Sequence, residues 1–97
     1  MDRDLRNLIL WLFVGSKGGP TRARILFLIR ESPMNVHRIA KELELNYRTV
    51  KYHLELMREH GIVERVGNDY GGAIYVPSEV VEKNWGEIES ILRRNGL

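Results

Sequence analysis

Two short helices and the turn between them are encoded in residues 35–63, NVHRIAKELELNYRTVKYHLELMREHGIV. Asn35 and Asn46 are good N-cap residues, and each precedes apolar side chains at helical spacing. The inward positions are Val36, Ile39, Ala40 and Leu43 in the first helix and Val50, Leu54 and Met57 in the second. Gly61 suits the position just past a helix end. The spacing therefore predicts two packed helices, the second of them covering residues 47–60.

The flanking sequence adds a hairpin and two outer helices. Residues 62–66 and 73–76 are rich in β-branched or aromatic residues, and the segment between them contains asparagine, aspartate and glycines, which favours a hairpin. Upstream, residues 3–14 and 20–31 show helical patterns separated by glycines. Downstream, Ser78 is placed to cap a last helix.

Together these elements predict a mainly α fold with a small β-hairpin. Two helices joined by a tight turn and followed directly by a hairpin form a winged helix-turn-helix when their packing positions agree, and small Ala40 permits the close helix crossing. We expect a single domain over residues 1–97. Its winged-helix core would cover residues 20–77, with extra terminal helices in residues 1–15 and 78–96.

A set of residues in this core resembles the ArsR-type branch of the winged-helix transcription regulators. The recognition helix of that family reads roughly T-V-x-x-H-L-x-x-L and continues into G-L-V. The matching residues here are Ala40, Leu43, Leu45, Thr49, Val50, His53, Leu54, Met57, Gly61, Ile62 and Val63. The resemblance spans roughly residues 20–77. It implies a sequence-specific regulator of double-stranded DNA, with helix 47–60 in the major groove and hairpin 62–76 as the wing.

The outward face of the second helix is the candidate DNA-reading surface. Its first two turns carry no acidic residue, whereas a solvated helix face usually interleaves glutamate. Arginine and lysine are the usual readers of guanine edges and phosphates. The candidate contacts on and before this helix are Asn46, Tyr47, Arg48, Thr49, Lys51 and Tyr52. The resemblance adds Arg65, Asn68 and Tyr70 on the hairpin, although Asp69 makes this wing less basic than a deep minor-groove contact would favour.

Glu44 occupies the turn position where the family usually has glycine, so a positive φ there would cost about 1 kcal/mol relative to glycine. Arg22, Arg24 and Arg38 could flank the groove, although each is better explained as an ordinary surface charge.

The terminal helices are the predicted dimerisation elements. A short chain buries a small share of its surface, which favours support from a second copy. The candidate contacts are Leu5, Leu8, Ile9 and Leu12 in the first helix and Val81, Trp85, Ile88 and Leu92 in the last. A two-fold pair would read a near-palindromic operator. Alternatively, the last helix packs on the first helix of its own chain.

Composition narrows the function classes. The 97 residues contain 43% hydrophobic and 29% charged residues and no cysteine, which is typical of a globular protein and compatible with a reducing cytoplasm. The apolar run 8–14 is too short to span a bilayer, and it lacks a cleavage site. Three histidines complete no metal site by spacing, and no catalytic motif is evident. We expect a cytoplasmic homodimer that is not an enzyme and needs no cofactor or metal. A protein-interaction winged helix in a larger assembly and a single-stranded nucleic acid or RNA binder remain the alternatives.

Overall fold

The computed structural model describes residues 1–68 and 72–97 of the chain. The N-terminal part contains helix α1 (Arg3–Ile9), a π-helical segment (Leu10–Val14) and helix α2 (Gly19–Glu31). The central part contains strand β1 (Met34–Asn35), helix α3 (Val36–Leu43) and helix α4 (Tyr47–Glu59). The hairpin strands are β2 (Val63–Val66) and β3 (Ile74–Pro77), and the chain continues through α5 (Glu79–Lys83) and α6 (Trp85–Arg94). The predicted mainly α fold with a β-hairpin is confirmed.

Side-chain caps explain where α3, α4 and α5 begin. Asn35 Oδ1 accepts a hydrogen bond from the Arg38 N–H at 2.9 Å, and Asn46 Oδ1 accepts one from the Thr49 N–H at 2.8 Å. Ser78 Oγ accepts from the backbone N–H three residues on, at 3.4 Å. Each cap satisfies an N–H group that the first helical turn leaves without a partner. The starts of α3, α4 and α5 therefore follow from local sequence, as predicted.

The hairpin belongs to a three-stranded antiparallel sheet in the order β1-β3-β2. Tyr75 lies opposite Arg65 on one side and opposite Met34 on the other. Sequence patterning missed β1, because two residues are too few to show the alternation that marks a strand. The extra strand makes β3 central in the sheet. Tyr75 on this strand is buried, with 1% of the residue exposed, and its hydroxyl contacts Lys51 and Glu55 of α4.

Both outer helices depart from the continuous helices that the sequence predicts. At the end of α1 the Gly15 N–H donates to the Leu10 carbonyl at 2.7 Å, a bond that spans five residues and widens the last turn. The final helix is interrupted at Asn84, whose backbone leaves the helical region and whose side-chain amide donates to the Val80 carbonyl at 2.8 Å. Such side-chain competition for a backbone carbonyl disfavours asparagine inside a helix.

The terminal helices pack on the core of their own chain. Six of the eight predicted dimer contacts are buried in this core: Ile9, Leu12, Val81, Trp85, Ile88 and Leu92. Phe27 of α2 meets the Trp85 ring edge-on, with centroids 5.5 Å apart. The seam of the last helix therefore faces its own protomer. Besides α2, α6 contacts the π-helical segment Leu10–Val14 of the first helix, the partner that the alternative prediction named. Of the predicted set only Leu5 and Leu8 keep partly exposed side chains.

Candidate nucleic-acid interface

Helix α4 separates a packing face from an open face, as its sequence indicates. Val50, Leu54 and Met57 are completely buried. On the opposite side Arg48 is exposed and Tyr52 is 61% exposed. Within the part of the chain that the structure describes, Arg48 makes no hydrogen bond or ion pair. Its guanidinium is thus available for an external acceptor.

A cleft of about 390 Å³ lies between the start of α3, the first turns of α4 and the hairpin. Its polar lining side chains are Asn35, His37, Tyr47, Lys51, Arg65 and Tyr75. The described lining includes two cations and no acidic residue. We call this feature the wing cleft. Its composition suits an anionic ligand.

Lys51 is held at the edge of the wing cleft by a chain of polar contacts. Its Nζ donates to the Tyr75 hydroxyl at 3.3 Å, and that hydroxyl donates to Glu55 Oε2 at 2.8 Å. Glu55 also pairs with Arg58 at 3.2 Å. Sequence reasoning missed this network, because nothing local indicates that a β3 side chain reaches α4.

The same contacts shift the ionisation of these groups. Burial alone would lower the pKa of Lys51, but the Tyr75 hydrogen bond and nearby Glu55 outweigh it, so this pKa is raised. Burial opposes ionisation of Glu55, yet its bonds to Tyr75 and the neighbouring cations lower its pKa overall. Burial, followed by the bond to Glu55, raises the pKa of Tyr75. At neutral pH Lys51 therefore remains cationic and Tyr75 remains a neutral phenol.

Arg22 is a buried structural residue, and the expectation of an ordinary surface charge was wrong for it. Only 4% of Arg22 is exposed. Its Nε donates to the Leu12 carbonyl at 2.9 Å, a terminal nitrogen donates to the Ser16 hydroxyl, and Nη1 lies 3.1 Å from His53 Nδ1. An arginine N–H can only donate, so His53 accepts through an unprotonated Nδ1. Burial and the Arg22 charge both lower the pKa of His53. This pair fixes the middle of α4 against the N-terminal half of the chain.

The other two arginines remain at the surface. Arg24 is exposed and donates to the Leu43 carbonyl at 3.3 Å. Arg38 is exposed beside Glu42, with their charged groups 3.8 Å apart. Neither lines the wing cleft among the described residues.

The turn between α3 and α4 contains a left-handed residue at the position where the family usually has glycine, so it is not more open than a strict helix-turn-helix, as the glutamate had suggested. Glu44 has φ 55° and ψ 46°, and it is the only described residue other than glycine with a positive φ. The Leu45 N–H then donates to the Ala40 carbonyl at 2.9 Å, which closes the turn. The turn thus has the compact geometry of a helix-turn-helix despite its glutamate.

The remaining candidate residues are spread around the start of α4 and the hairpin. Asn46 uses its side chain as the N-cap of α4, and Thr49 is partly buried. Tyr47 lies beside His37, with ring centroids 4.6 Å apart, and is 42% exposed. Arg65 lines the wing cleft and Asn68 is exposed near the hairpin tip. Tyr70 lies outside the described residues.

The described part of the chain meets neither the requirements of a metal cluster nor those of a membrane-spanning helix. In residues 1–68 and 72–97, no three histidine or carboxylate side chains are grouped to hold a metal ion. No helix within the same ranges is both long enough and apolar enough to cross a bilayer.

Comparison with known proteins identifies the helix-turn-helix segment. Residues 19–65 match the family model described as bacterial regulatory protein, arsR family. Over 45 residues the chain is 38% identical to the uncharacterized HTH-type transcriptional regulator MJ0229 of Methanocaldococcus jannaschii. That match covers 46% of this chain and 47% of the relative, so it spans about half the length of that protein.

Solved structures share the overall fold. The homodimeric winged helix-turn-helix DNA-binding domain of Mb0332 from Mycobacterium bovis, a possible ArsR-family regulator, superposes with a TM-score of 0.68 at 20% identity, covering 94% of this chain and 85% of that one. HlyU from Vibrio cholerae gives a TM-score of 0.67 at 21% identity, covering 93% and 88%. The Zalpha domain of zebrafish PKZ gives 0.59 at 28% identity, covering 66% of this chain and all (100%) of that one.

The family match and the structural matches agree with the residues that first indicated an ArsR-type protein. Residues 19–65 of this chain match the family model of bacterial regulatory proteins of the arsR type, and the chain around them has the fold of winged-helix proteins.

Proposed function

We propose that this protein is a sequence-specific regulator that binds double-stranded DNA, with α4 in the major groove and the β2–β3 hairpin as the wing. The observation that carries the proposal is the open face of α4, where Arg48 has no partner among the described residues while the packing face is completely buried. A helix with an open face and a cation in its first turn has the features of a helix that binds in the major groove. The transcription-regulator family to which residues 19–65 are matched supports the same role.

The proposal includes a role without catalysis and without a cofactor. The polar side chains that the structure describes in the wing cleft provide cations and phenols, which are groups that can bind an anion, and the matched family model is one of regulatory proteins. The protein would act in the cytoplasm, in the compartment that contains the DNA.

We also propose that the regulator acts as a homodimer on a near-palindromic operator. The similar Mycobacterium bovis domain is described as homodimeric. In this chain the N-terminal region retains some apolar surface, because Leu5 and Leu8 are partly exposed and Trp11 is 51% exposed, although the Trp11 ring lies edge-on to His60 with centroids 5.3 Å apart. A two-fold pair would present two α4 helices about one DNA turn apart, roughly 34 Å.

Selection of bound sequences from a random duplex pool tests the proposal directly. We expect an enriched near-palindromic motif, and binding of that duplex should weaken steeply with added salt because phosphate contacts release counterions. The matching single strands serve as the control. Preferential binding to single strands, which Tyr47 and Tyr52 could stack on, would favour the single-stranded alternative. No enrichment with either nucleic acid would favour the protein-interaction alternative.

An Arg48→Ala variant tests the groove assignment. Losing one base-directed contact should weaken binding to the selected duplex by about 1 to 3 kcal/mol without changing the thermal midpoint, because Arg48 makes no hydrogen bond or ion pair with the described residues. Glu59→Ala, at an exposed position near the end of the same helix, is the control. Unchanged affinity for the Arg48 variant would contradict the placement of α4 in the groove.

A further inference from the structure

The two cations in the first turns of α4 have different environments. Lys51 is partly buried, and its ammonium is tied to the Tyr75 hydroxyl on β3, which is itself bonded to Glu55. Arg48, three residues earlier, is exposed and makes no such contact in the described ranges. Lys51 is thus directed toward the hairpin, whereas Arg48 remains free to extend from the open face.

The position of Lys51 determines which part of a duplex it can reach. Base edges lie at the floor of the major groove, in front of the open face of the inserted helix. The sugar-phosphate strands form the rims of that groove, beside the helix. Because the wing cleft lies between α4 and the hairpin, a ligand entering it comes from a rim rather than from the floor.

The chemistry of the wing cleft fits a phosphate. An ammonium group has three donors, and Tyr75 accepts from one of them, so two remain for a bound anion. The second lining cation, Arg65, extends the positive lining on the hairpin side. Glu55 does not line the cleft and is engaged by Tyr75 and Arg58. The volume of about 390 Å³ is ample for one phosphodiester group.

We propose that the wing cleft binds one backbone phosphate of the DNA, that Lys51 is its phosphate-binding residue, and that the Tyr75 hydroxyl is the positioning group that directs Lys51 there. This inference rests on the proposed function, and it assigns different roles to the two cations of α4. Lys51 supplies affinity that is independent of sequence, and discrimination between sequences falls to Arg48.

The test compares binding of the selected duplex and a scrambled duplex over a series of salt concentrations. Lys51→Ala should weaken binding to both duplexes by the same factor and reduce the slope of log K against log salt by about one unit. Lys51→Arg, which keeps the charge, should largely restore the slope. Arg48→Ala should instead reduce the ratio of the two affinities, by about tenfold.

Tyr75→Phe tests the positioning role, because it removes the hydroxyl and keeps the buried ring. The single variant should lose part of the duplex affinity that Lys51→Ala loses, and its slope of log K against log salt should be reduced. In the double variant, Tyr75→Phe should cause no loss of affinity beyond that of Lys51→Ala. A purely structural role of Tyr75 would lower the thermal midpoint and add to the Lys51 effect. Glu55→Gln is a second test that does not depend on Tyr75→Phe folding. Removing this nearby negative charge should strengthen binding to both duplexes equally.

Several results would overturn the inference while leaving the proposed function intact. They are a Lys51→Ala loss confined to the selected duplex, an unchanged salt slope, or additive effects of Lys51 and Tyr75. At equal ionic strength, inorganic phosphate should displace the duplex from the protein no better than chloride does. Saturable competition by inorganic phosphate would assign the cleft to a free anion instead. Failure of the unmodified protein to bind any duplex would reject the proposed function itself.

Discussion

At the residue scale, Glu44 is strained by the turn in which it lies. An L residue with a side chain is strained at φ 55°, whereas glycine is not. We expect Glu44→Gly to stabilise the protein by up to about 1 kcal/mol, measured by urea unfolding. Glu42→Gly is the matched control, because Glu42 lies in right-handed α3 and glycine there should destabilise by roughly 0.5 to 1 kcal/mol. A lower stability for Glu44→Gly would show that the glutamate side chain contributes contacts that outweigh its backbone strain.

His53 makes stability depend on pH. Its pKa is lowered in the folded state by burial and by Arg22, so below the ordinary value of 6.5 the unfolded chain binds a proton that the folded chain does not. Protons therefore favour unfolding, and the free energy of unfolding should fall as the pH drops from about 6.5 toward the lowered folded value.

Urea unfolding at pH 7.5 and at several lower pH values measures this dependence. His53→Gln is the informative comparison, because its amide oxygen can still accept from Arg22 but cannot titrate. The stability profile of the variant should fall less steeply below pH 6.5 than that of the unmodified protein. Parallel profiles would contradict the assigned tautomer and the Arg22 contact.

At the scale of elements, the junction between the π-helical segment and α2 depends on close backbone contact. A Cβ on Gly19 would overlap the Phe13 carbonyl group, so the backbone would have to move to accept it. A Cβ on Gly86, in α6, would have no neighbouring atom within 4 Å. The same substitution, glycine to alanine, should therefore have opposite effects on stability at these two positions.

We expect Gly19→Ala to lower stability by several kcal/mol or prevent folding, because α2 would have to separate from the preceding segment. Gly86→Ala should raise stability by about 0.5 to 1 kcal/mol, as alanine is the better helix former. Thermal unfolding followed by circular dichroism compares both with the unmodified protein. Similar behaviour of the two variants would show that the contact between Gly19 and Phe13 is not a constraint on the fold.

At the scale of the whole molecule, buried apolar residues stabilise the fold of one protomer, whereas exposed apolar residues are available for a dimer interface. Ile88 is completely buried, so Ile88→Asp should unfold the chain by placing a charge in the core. Trp11 is 51% exposed, so Trp11→Asp should leave the protomer folded and shift a dimer toward monomer in sedimentation at tens of micromolar protein. A monomeric unmodified protein under those conditions would reject the homodimer proposal. A folded variant that remains dimeric would place the interface elsewhere.

The local sequence by itself determined the helix starts, the turn and the two faces of α4. These features depend on interactions over three or four residues, such as the Asn35 and Asn46 caps, or on the helical period that places Val50 and Leu54 together. For Glu44 the sequence indicated only what a positive φ would cost, and the structure decided that the residue is left-handed. The family resemblance rested on the same segment.

Only the tertiary structure decided which charged and apolar side chains are available to partners. Arg22 looked like a surface charge until the fold placed Leu12, Ser16 and His53 around it, and Lys51 looked equivalent to Arg48 until β3 placed Tyr75 beside it. Likewise, the sequence of the last helix did not indicate which surface would cover the apolar face that contains Ile88. Helical periodicity shows that a face must be buried, but the identity of its partner depends on contacts between residues far apart in the chain.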